Sequence, residues 1–349
     1  MQPVKIGNNQ LRYQTMIGVG GIGSGMFFCL NGDHTLGREE SRSGFFLDRR
    51  DYCKLHIISH YVQILLGQDF KVIPVGKVGN DDVGEKLLLE MAETGMIMNY
   101  VEKSAGDQTL FSFCFIYPDG SGGNMTTSDS ACSKVDESLV MKVESEFIKY
   151  QGKGIVLAAP EVPLTTRASL LKLGSKYNFL RVASFTSEEM RQIMQSQILG
   201  QLDLLAINLD ETAAAIRMPV DKNPAAAIIE TAVTVFTKIN PKIKLSITKG
   251  KDGSWTWDGS ALTHLPAFRV QVENTAGAGD AHLAGLLVGL TAGLSLPEAQ
   301  QLAALTSGSS VESPHTINKE TNRVALKKIA DQSKSMISKN VYKLLEDRV

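Results

Sequence analysis

From Phe70 onward the chain alternates short apolar runs with amphipathic stretches. KVIPV (71–75), GIVLAA (154–159), FLRVASF (179–185), LDLLAIN (202–208) and KIKLSIT (242–248) read as buried strands. Between them, the intervals of about 82–95, 136–149, 163–175 and 223–237 repeat apolar residues at three- and four-residue spacing, which predicts helices. Strand–helix alternation of this kind implies an α/β domain, a mainly parallel sheet with helices on both faces. Ligands then belong at the carboxyl ends of the strands.

Two segments break the alternation. One is 26–50, which contains Asn31-Gly32 and several charges; the other is 109–127, where Thr109–Tyr117 reads as a strand before the turn Pro118-Asp119-Gly120. Alike in type though distant in sequence, they predict a small β-sheet hanging off the main domain as a lid. The expected organisation is an α/β domain built from 1–25, 51–108 and 128–349, with 26–50 and 109–127 inserted as the lid. From about 277 the pattern is helical again, ending in a charged amphipathic stretch from Asn322 to Leu345 of the kind that covers a sheet face.

Composition narrows the partners. With 349 residues, 43% hydrophobic and 21% charged, the chain can bury a large core. A formal net charge of −1 gives no global field to gather nucleic acid or anionic lipid, so any charged ligand must be met locally. Cys29, Cys53, Cys114 and Cys132 have neither zinc-ligand spacing nor the density of a disulfide framework, and are expected as reduced thiols. Residues 1–10 carry no apolar leader core, and no apolar run reaches the roughly 18 residues of a membrane span. A cytoplasmic protein is expected.

Two glycine clusters carry candidate chemistry. Gly18-Val-Gly20-Gly21-Ile-Gly23 fits GxGxxG after a predicted strand, the turn that admits a dinucleotide pyrophosphate. Such a site needs a long helix next, yet Asn31-Gly32 follows closely, and it needs a strand ending in an acid, whereas Glu39 and Glu40 lie in a polar stretch. The second cluster is Asn274-Thr275-Ala276-Gly277-Ala278-Gly279-Asp280, followed by the helical run Leu283–Leu290. Gly277 and Gly279 let backbone N–H groups converge at a helix N-terminus, where the dipole favours an anion. A carboxylate on Asp280 at that mouth is awkward unless it takes a proton while charge builds on a transferring phosphoryl group. The other reading of the same residues is a glycine-rich helix cap with a capping acid.

At these residues the sequence resembles the ribokinase-like PfkB family of carbohydrate kinases, whose signature DTxGAGD is matched by Asn274–Asp280 in six of seven places. Three further matches follow the family's order: Val75–Gly84 is similar to VGxVGxDxxG, Asn208-Leu-Asp-Glu211 to NxxE, and Thr248–Gly253 to TxGxxG. The resemblance, from about Gln14 to Val311, implies a ribokinase-like three-layer α/β/α fold with a small β lid. It implies a kinase that uses ATP and Mg2+, with Asp280 as catalytic base. Backbone N–H groups of Gly277, Ala278, Gly279 and Asp280 would form the anion hole; Asn208, Thr248, Gly250 and Gly253 would line the ATP site, and Glu211 would organise magnesium. It also implies a small-molecule phosphate acceptor and a possible homodimer contact through the lid.

The chain departs from the family where the sugar is gripped. Gly25 stands near the position of the family's usual Asp, and the Gly-Gly…Asn opening of the first long helix is replaced by Cys53-Lys54-Leu55-His56. Glu161 does match a family element that reaches the substrate pocket. Arg49, Arg50, Lys54 and His56 stand nearby by sequence, which suggests an acceptor carrying negative charge; Asp33 and Glu161 are the alternative sugar contacts. Asn274 puts an amide where the signature's first Asp would serve the monovalent-cation site of some relatives. Two other functions remain open on these residues: a catalytically weak nucleotide-binding regulator, suggested by the missing Asp, and an NAD-dependent oxidoreductase using Gly18–Gly23.

Overall fold

The computed structural model describes residues 2–6, 11–119 and 122–346. Gly120 of the anticipated turn and residues 1 and 7–10 of the N-terminal segment lie outside that description. Among the described residues thirteen strands are formed: β1 (Thr15–Val19), β2 (Gly23–Leu30), β3 (Gly44–Tyr52), β4 (Lys71–Gly79), β5 (Val101–Ser104), β6 (Leu110–Ile116), β7 (Gly122–Thr126), β8 (Gly154–Ala158), β9 (Leu180–Ala183), β10 (Leu204–Asn208), β11 (Lys244–Thr248), β12 (Ser254–Trp257) and β13 (Leu262–Leu265). Nine make the main sheet, in the order β13-β12-β11-β10-β9-β8-β1-β4-β5. From β11 through β5 every pairing is parallel; β12 and β13 continue antiparallel.

Alternate strand residues enter two separate cores, as a parallel sheet covered on both faces requires. Met16, Val72, Ile155 and Leu157 pack with the helices Lys54–Leu66, Ala278–Thr291 and Leu296–Ser310. Ile17, Val19, Ile73, Val75 and Val156 face the opposite way, onto the helices Leu164–Lys176 and Ala225–Ile239. This three-layer arrangement is the anticipated ribokinase-like fold. Two helical expectations change in detail. The stretch 136–149 is two short helices, Glu137–Lys142 and Glu144–Lys149, interrupted at Val143, whose ψ of 0° leaves helical geometry. The C-terminal stretch is likewise two helices, Arg323–Gln332 and Lys339–Leu345, separated by the 3₁₀ turn Lys334–Met336.

The four remaining strands form a second sheet, β3-β2-β6-β7. β2 runs antiparallel to β3 and parallel to β6, so the two segments that broke the alternation do pair with each other. The sheet reaches Gly23 and Tyr52, and therefore takes in the facing pair Gly25 and Asp51. Asp48-Arg49-Arg50-Asp51 lies within β3, with a bulge: Met26 opposes Arg50 but Phe27 opposes Leu47, leaving Asp48 and Arg49 as the extra residues. Gly18–Gly23 leads from β1 into β2, strand to strand. No helix N-terminus follows it to meet a pyrophosphate, which removes the geometric basis of the dinucleotide reading.

Asp81 of the Val75–Gly84 motif holds this junction. Its carboxylate accepts from Gly84 N at the start of the helix Asp82–Glu93 (2.8 Å) and from both the N–H and the hydroxyl of Thr109 (each 2.7 Å), just before β6. Behind the sheet, Arg167 is fully buried; its guanidinium donates to Glu189 Oε1 and to the carbonyl of Ser184, each at 2.6 Å. Removing one member of a buried charged pair strands the other, so Arg167→Leu is expected to cost about 3–5 kcal/mol. A lowered urea midpoint at unchanged slope is the measurement; a midpoint within experimental error of wild type would show the pair to be dispensable.

Candidate active site

The carboxyl ends of β9, β10 and β11 are neighbours, and the register sets Asn208 opposite Thr248. Above them opens a cleft of about 210 Å³ whose lining includes Lys54, Ser184, Asn208, Glu211, Thr248, Gly277, Gly279, Asp280 and His282. Its floor is the N-terminus of the helix Ala278–Thr291. Gly277 enters this helix at φ 77°, a left-handed conformation, and a Cβ there would lie 2.9 Å from the carbonyl oxygen of Thr316; glycine meets both demands. The N–H groups of Gly277, Gly279 and Asp280 have no acceptor among the described residues, whereas that of Ala278 already donates to Thr275 O at 3.2 Å. Three of the four anticipated anion-hole donors are thus free, at the positive end of a helix dipole.

Asn208 and Glu211 form a reciprocal capping box at the start of the helix Leu209–Ile216. Glu211 N donates to Asn208 Oδ1 and Asn208 N donates to Glu211 Oε2, each at 2.8 Å. The other carboxylate oxygen of Glu211 stands 4.0 Å from Lys54 Nζ. Lys54 is the first residue of the helix Lys54–Leu66 and extends into a ring of acids. Asp280 foremost, with Glu211 and Glu161, holds its ammonium above the ordinary lysine range, against the opposing effect of burial. The reciprocal effects fall on the acids. Burial raises Asp280, Lys54 offsets part of that rise, and the charge of Asp51 adds to it. Burial raises Glu211 as well, again partly offset by Lys54. Burial pushes Glu161 up to about 7, again against the pull of Lys54. Glu161 sits at φ 76° between two prolines, and its Oε2 accepts from Lys54 N at 3.4 Å. A carboxylate raised in this way is a better proton acceptor than a free one while still ionising near neutrality.

Other anticipated contacts do not converge here. Asp33 lies in a fully exposed turn beside His34. Gly25 is walled in by Ser112 and Asp51. Arg50 is spent on Glu90 at 2.9 Å, and His56 turns into a separate cavity with His60, where burial lowers it to about 3 and keeps it uncharged. Arg49 occupies the bulge, half-buried, without an ion-pair partner among the described residues. The cluster of cations supposed from sequence is therefore dispersed. Gly250 and Gly253 shape the turn after β11, with Gly253 at φ 93°. Asn274 bridges two loops: its amide donates to Pro314 O at 2.9 Å and its Oδ1 accepts from Ala276 N at 3.1 Å. Ser184 and His282 were missed by sequence reading. Ser184 could have been found as the residue directly after β9; His282 had no signal beyond its place in the helix.

A family profile, the pfkB family carbohydrate kinases, matches residues 62–323. The chain belongs to this family. It is therefore a phosphotransferase with an alcohol acceptor, a sugar kinase. Fructoselysine 6-kinase of Escherichia coli (strain K12) is 43% identical over 227 residues, 64% of this chain and 76% of that protein. The enzyme of the same description from Shigella flexneri is 26% identical over the same length. A segment of 55 residues is 44% identical to the uncharacterized sugar kinase YegV of E. coli, of which this chain covers 17%. Among solved structures, ribokinase from Giardia lamblia superposes with a TM-score of 0.77 at 16% identity, covering 90% of this chain and 99% of that one. Arabidopsis thaliana ribokinase complexed with ribose and ATP gives 0.68 at 19% identity, covering 96% and 100%. Such low identities establish the fold. Within the PfkB fold, no helix among the described residues is long and apolar enough to cross a membrane.

The raised Glu161 makes the stability of this PfkB kinase pH-dependent. With a folded value near 7 against an ordinary 4.5, the native state binds more protons than the unfolded chain between those limits. Stability contributed by protonated Glu161 is therefore present at low pH and lost as pH rises through this window. Urea midpoints for Glu161→Gln should change less between about pH 5 and pH 8 than those of wild type; parallel curves would remove Glu161 as the source.

Proposed function

We propose that this kinase transfers the γ-phosphoryl group of ATP in one step to a hydroxyl of a sugar or sugar phosphate, with Asp280 as the general base. The observation that carries the reading is the pairing of a raised, half-buried Asp280 with three unoccupied N–H donors at the same helix N-terminus. A negative charge facing an anion site is unfavourable unless it takes a proton as phosphoryl charge develops, and phosphoryl transfer asks little more of a protein than such positioning and electrostatics. The nucleotide would lie along Asn208, Thr248, Gly250 and Gly253. A retained but inactive nucleotide site, as in a regulator, would have no use for that carboxylate.

Among the described residues no group of three or more His, Cys, Asp or Glu side chains is arranged to hold a metal ion. Mg2+ keeps several waters and binds through one or two carboxylates plus substrate phosphates. Glu211, with one oxygen fixed by Asn208 N and the other facing the cleft, is the residue to order its water shell. Nothing at Asn274 supplies a carboxylate for a monovalent cation, so none is included. The small sheet, hinged where Asp81 ties β6 to the main domain, would close over the acceptor and exclude water. Its exposed Phe45, Phe46 and Met125 are suited to a lid-to-lid homodimer. Arg49, a lid cation without an ion-pair partner among the described residues, is the residue that would meet a phosphate if the acceptor carries one. Similarity to fructoselysine 6-kinase makes fructoselysine the first acceptor to assay.

Asp280→Asn is expected to lower kcat by about 10²–10⁴-fold while leaving ATP affinity nearly unchanged. Turnover within a fewfold of wild type would refute the base assignment, and a parallel loss of ATP binding would make the residue structural. Glu211→Gln should raise the magnesium concentration needed for half-maximal rate. An unchanged magnesium profile removes Glu211 from that role.

A further inference from the structure

Asp51 is a buried acid for which the proposed chemistry has no use. It is 7% exposed, and no Lys, Arg or His pairs with it among the described residues. Ser112 Oγ donates to its Oδ2, and Cys114 Sγ approaches the same oxygen at 3.4 Å. Oδ1 has no partner among the described residues, yet it is not sealed by packing. A buried acid lacking a cation is unfavourable by several kcal/mol unless something else satisfies it. Here the side chain is oriented on one oxygen and open on the other, the condition of a group waiting for a ligand.

Its neighbours fasten it beside the reaction site. Thr316 N donates to Arg50 O at 3.1 Å, and Tyr52 N donates to Thr316 Oγ1 at 3.0 Å, so both residues flanking Asp51 are tied to Thr316. The carbonyl of Thr316 in turn closes over Gly277, at the start of the helix that carries Asp280. The charge of Asp51 is felt at Asp280. Across the strand pair, Gly25 is the residue opposite; a Cβ on it would lie 2.0 Å from Ser112 Oγ and 3.0 Å from the Cβ of Asp51. Glycine at 25 thus leaves room for the Asp51–Ser112 pair, and the carboxyl group of this sheet is delivered from β3.

We propose that Asp51 holds the acceptor, taking hydrogen bonds on Oδ1 from hydroxyl or ammonium groups of an unphosphorylated sugar. The proposal rests on the kinase reading above and narrows it. The charge of Asp51 bears on Asp280, which with Glu161 and Glu211 surrounds the single cation Lys54, and a sugar phosphate brought among these acids would meet like charge. Arg49 is a single opposing charge in the bulge two residues away.

Initial rates with ATP and D-fructose, D-ribose, D-glucosamine and fructose 6-phosphate test this. An unphosphorylated sugar should give the highest kcat/KM, and Asp51→Asn should raise its KM about 10–100-fold, the loss of a hydrogen bond to a charged group. The KM for ATP and the melting temperature should stay near wild type, a split that a structural role would not produce. If Asp51→Asn does not fold, Ser112→Ala, which frees the carboxyl orientation, should raise the same KM by a smaller factor. Preference for fructose 6-phosphate, no turnover of any unphosphorylated sugar, or a loss confined to kcat would each overturn the proposal. Full turnover by Asp280→Asn alongside a raised acceptor KM for Asp51→Asn would remove the base and leave Asp51 in place.

Discussion

The ammonium group of Lys54 is the charge around which the cleft is arranged. Asp280, Glu211 and Glu161 come from three different elements: a helix after the glycine turn, a helix after β10, and the proline-bracketed loop after β8. Brought together without a cation they would repel, and burial would drive protons onto them. Lys54 opposes the upward shift of each acid, and each acid in turn stabilises its charge. The cost of burying any one of these groups is thereby shared, as buried ionic sites require. Lys54 can serve all three because it is the first residue of its helix, where the long side chain leaves the helix end and spans the gap between sheet and glycine turn.

That arrangement depends on the small sheet as much as on the large one. β3 runs directly into the helix of Lys54, and its last residues are fastened to Thr316 beside the glycine turn. Asp81, bound to Thr109, fastens β6 at the other side. The small sheet is therefore attached to the main domain at two points, through Thr316 and through Asp81.

Strand–helix alternation, the cleft at the carboxyl edge of the sheet and the glycine turn that opens the helix Ala278–Thr291 were legible because each rests on local periodicity or on a glycine pattern whose backbone consequences are short-range. Asn208 and Glu211 were singled out only by the family resemblance, and their reciprocal capping box came from the structure. The surroundings of Lys54 were not legible. Arg49, Arg50, Lys54 and His56 are close in sequence, yet the bulge in β3 and the start of a helix send them in different directions: to a free bulge position, to Glu90, to the acid ring, and to a neutral histidine pair. Proximity along the chain carries no orientation once secondary structure changes between the residues.

The amino-acid sequence by itself determined the layer architecture, the glycine turn with its free N–H groups, and the acid placed at its mouth, since all of these follow from hydrophobic period and backbone freedom within a few residues. Only the tertiary structure decided that Lys54 is the partner of three distant acids, and that Asp51 faces Gly25 across a strand pair. Those are contacts between groups tens to hundreds of residues apart, and they exist because strand register and helix packing place the groups in one buried volume where charge must be compensated.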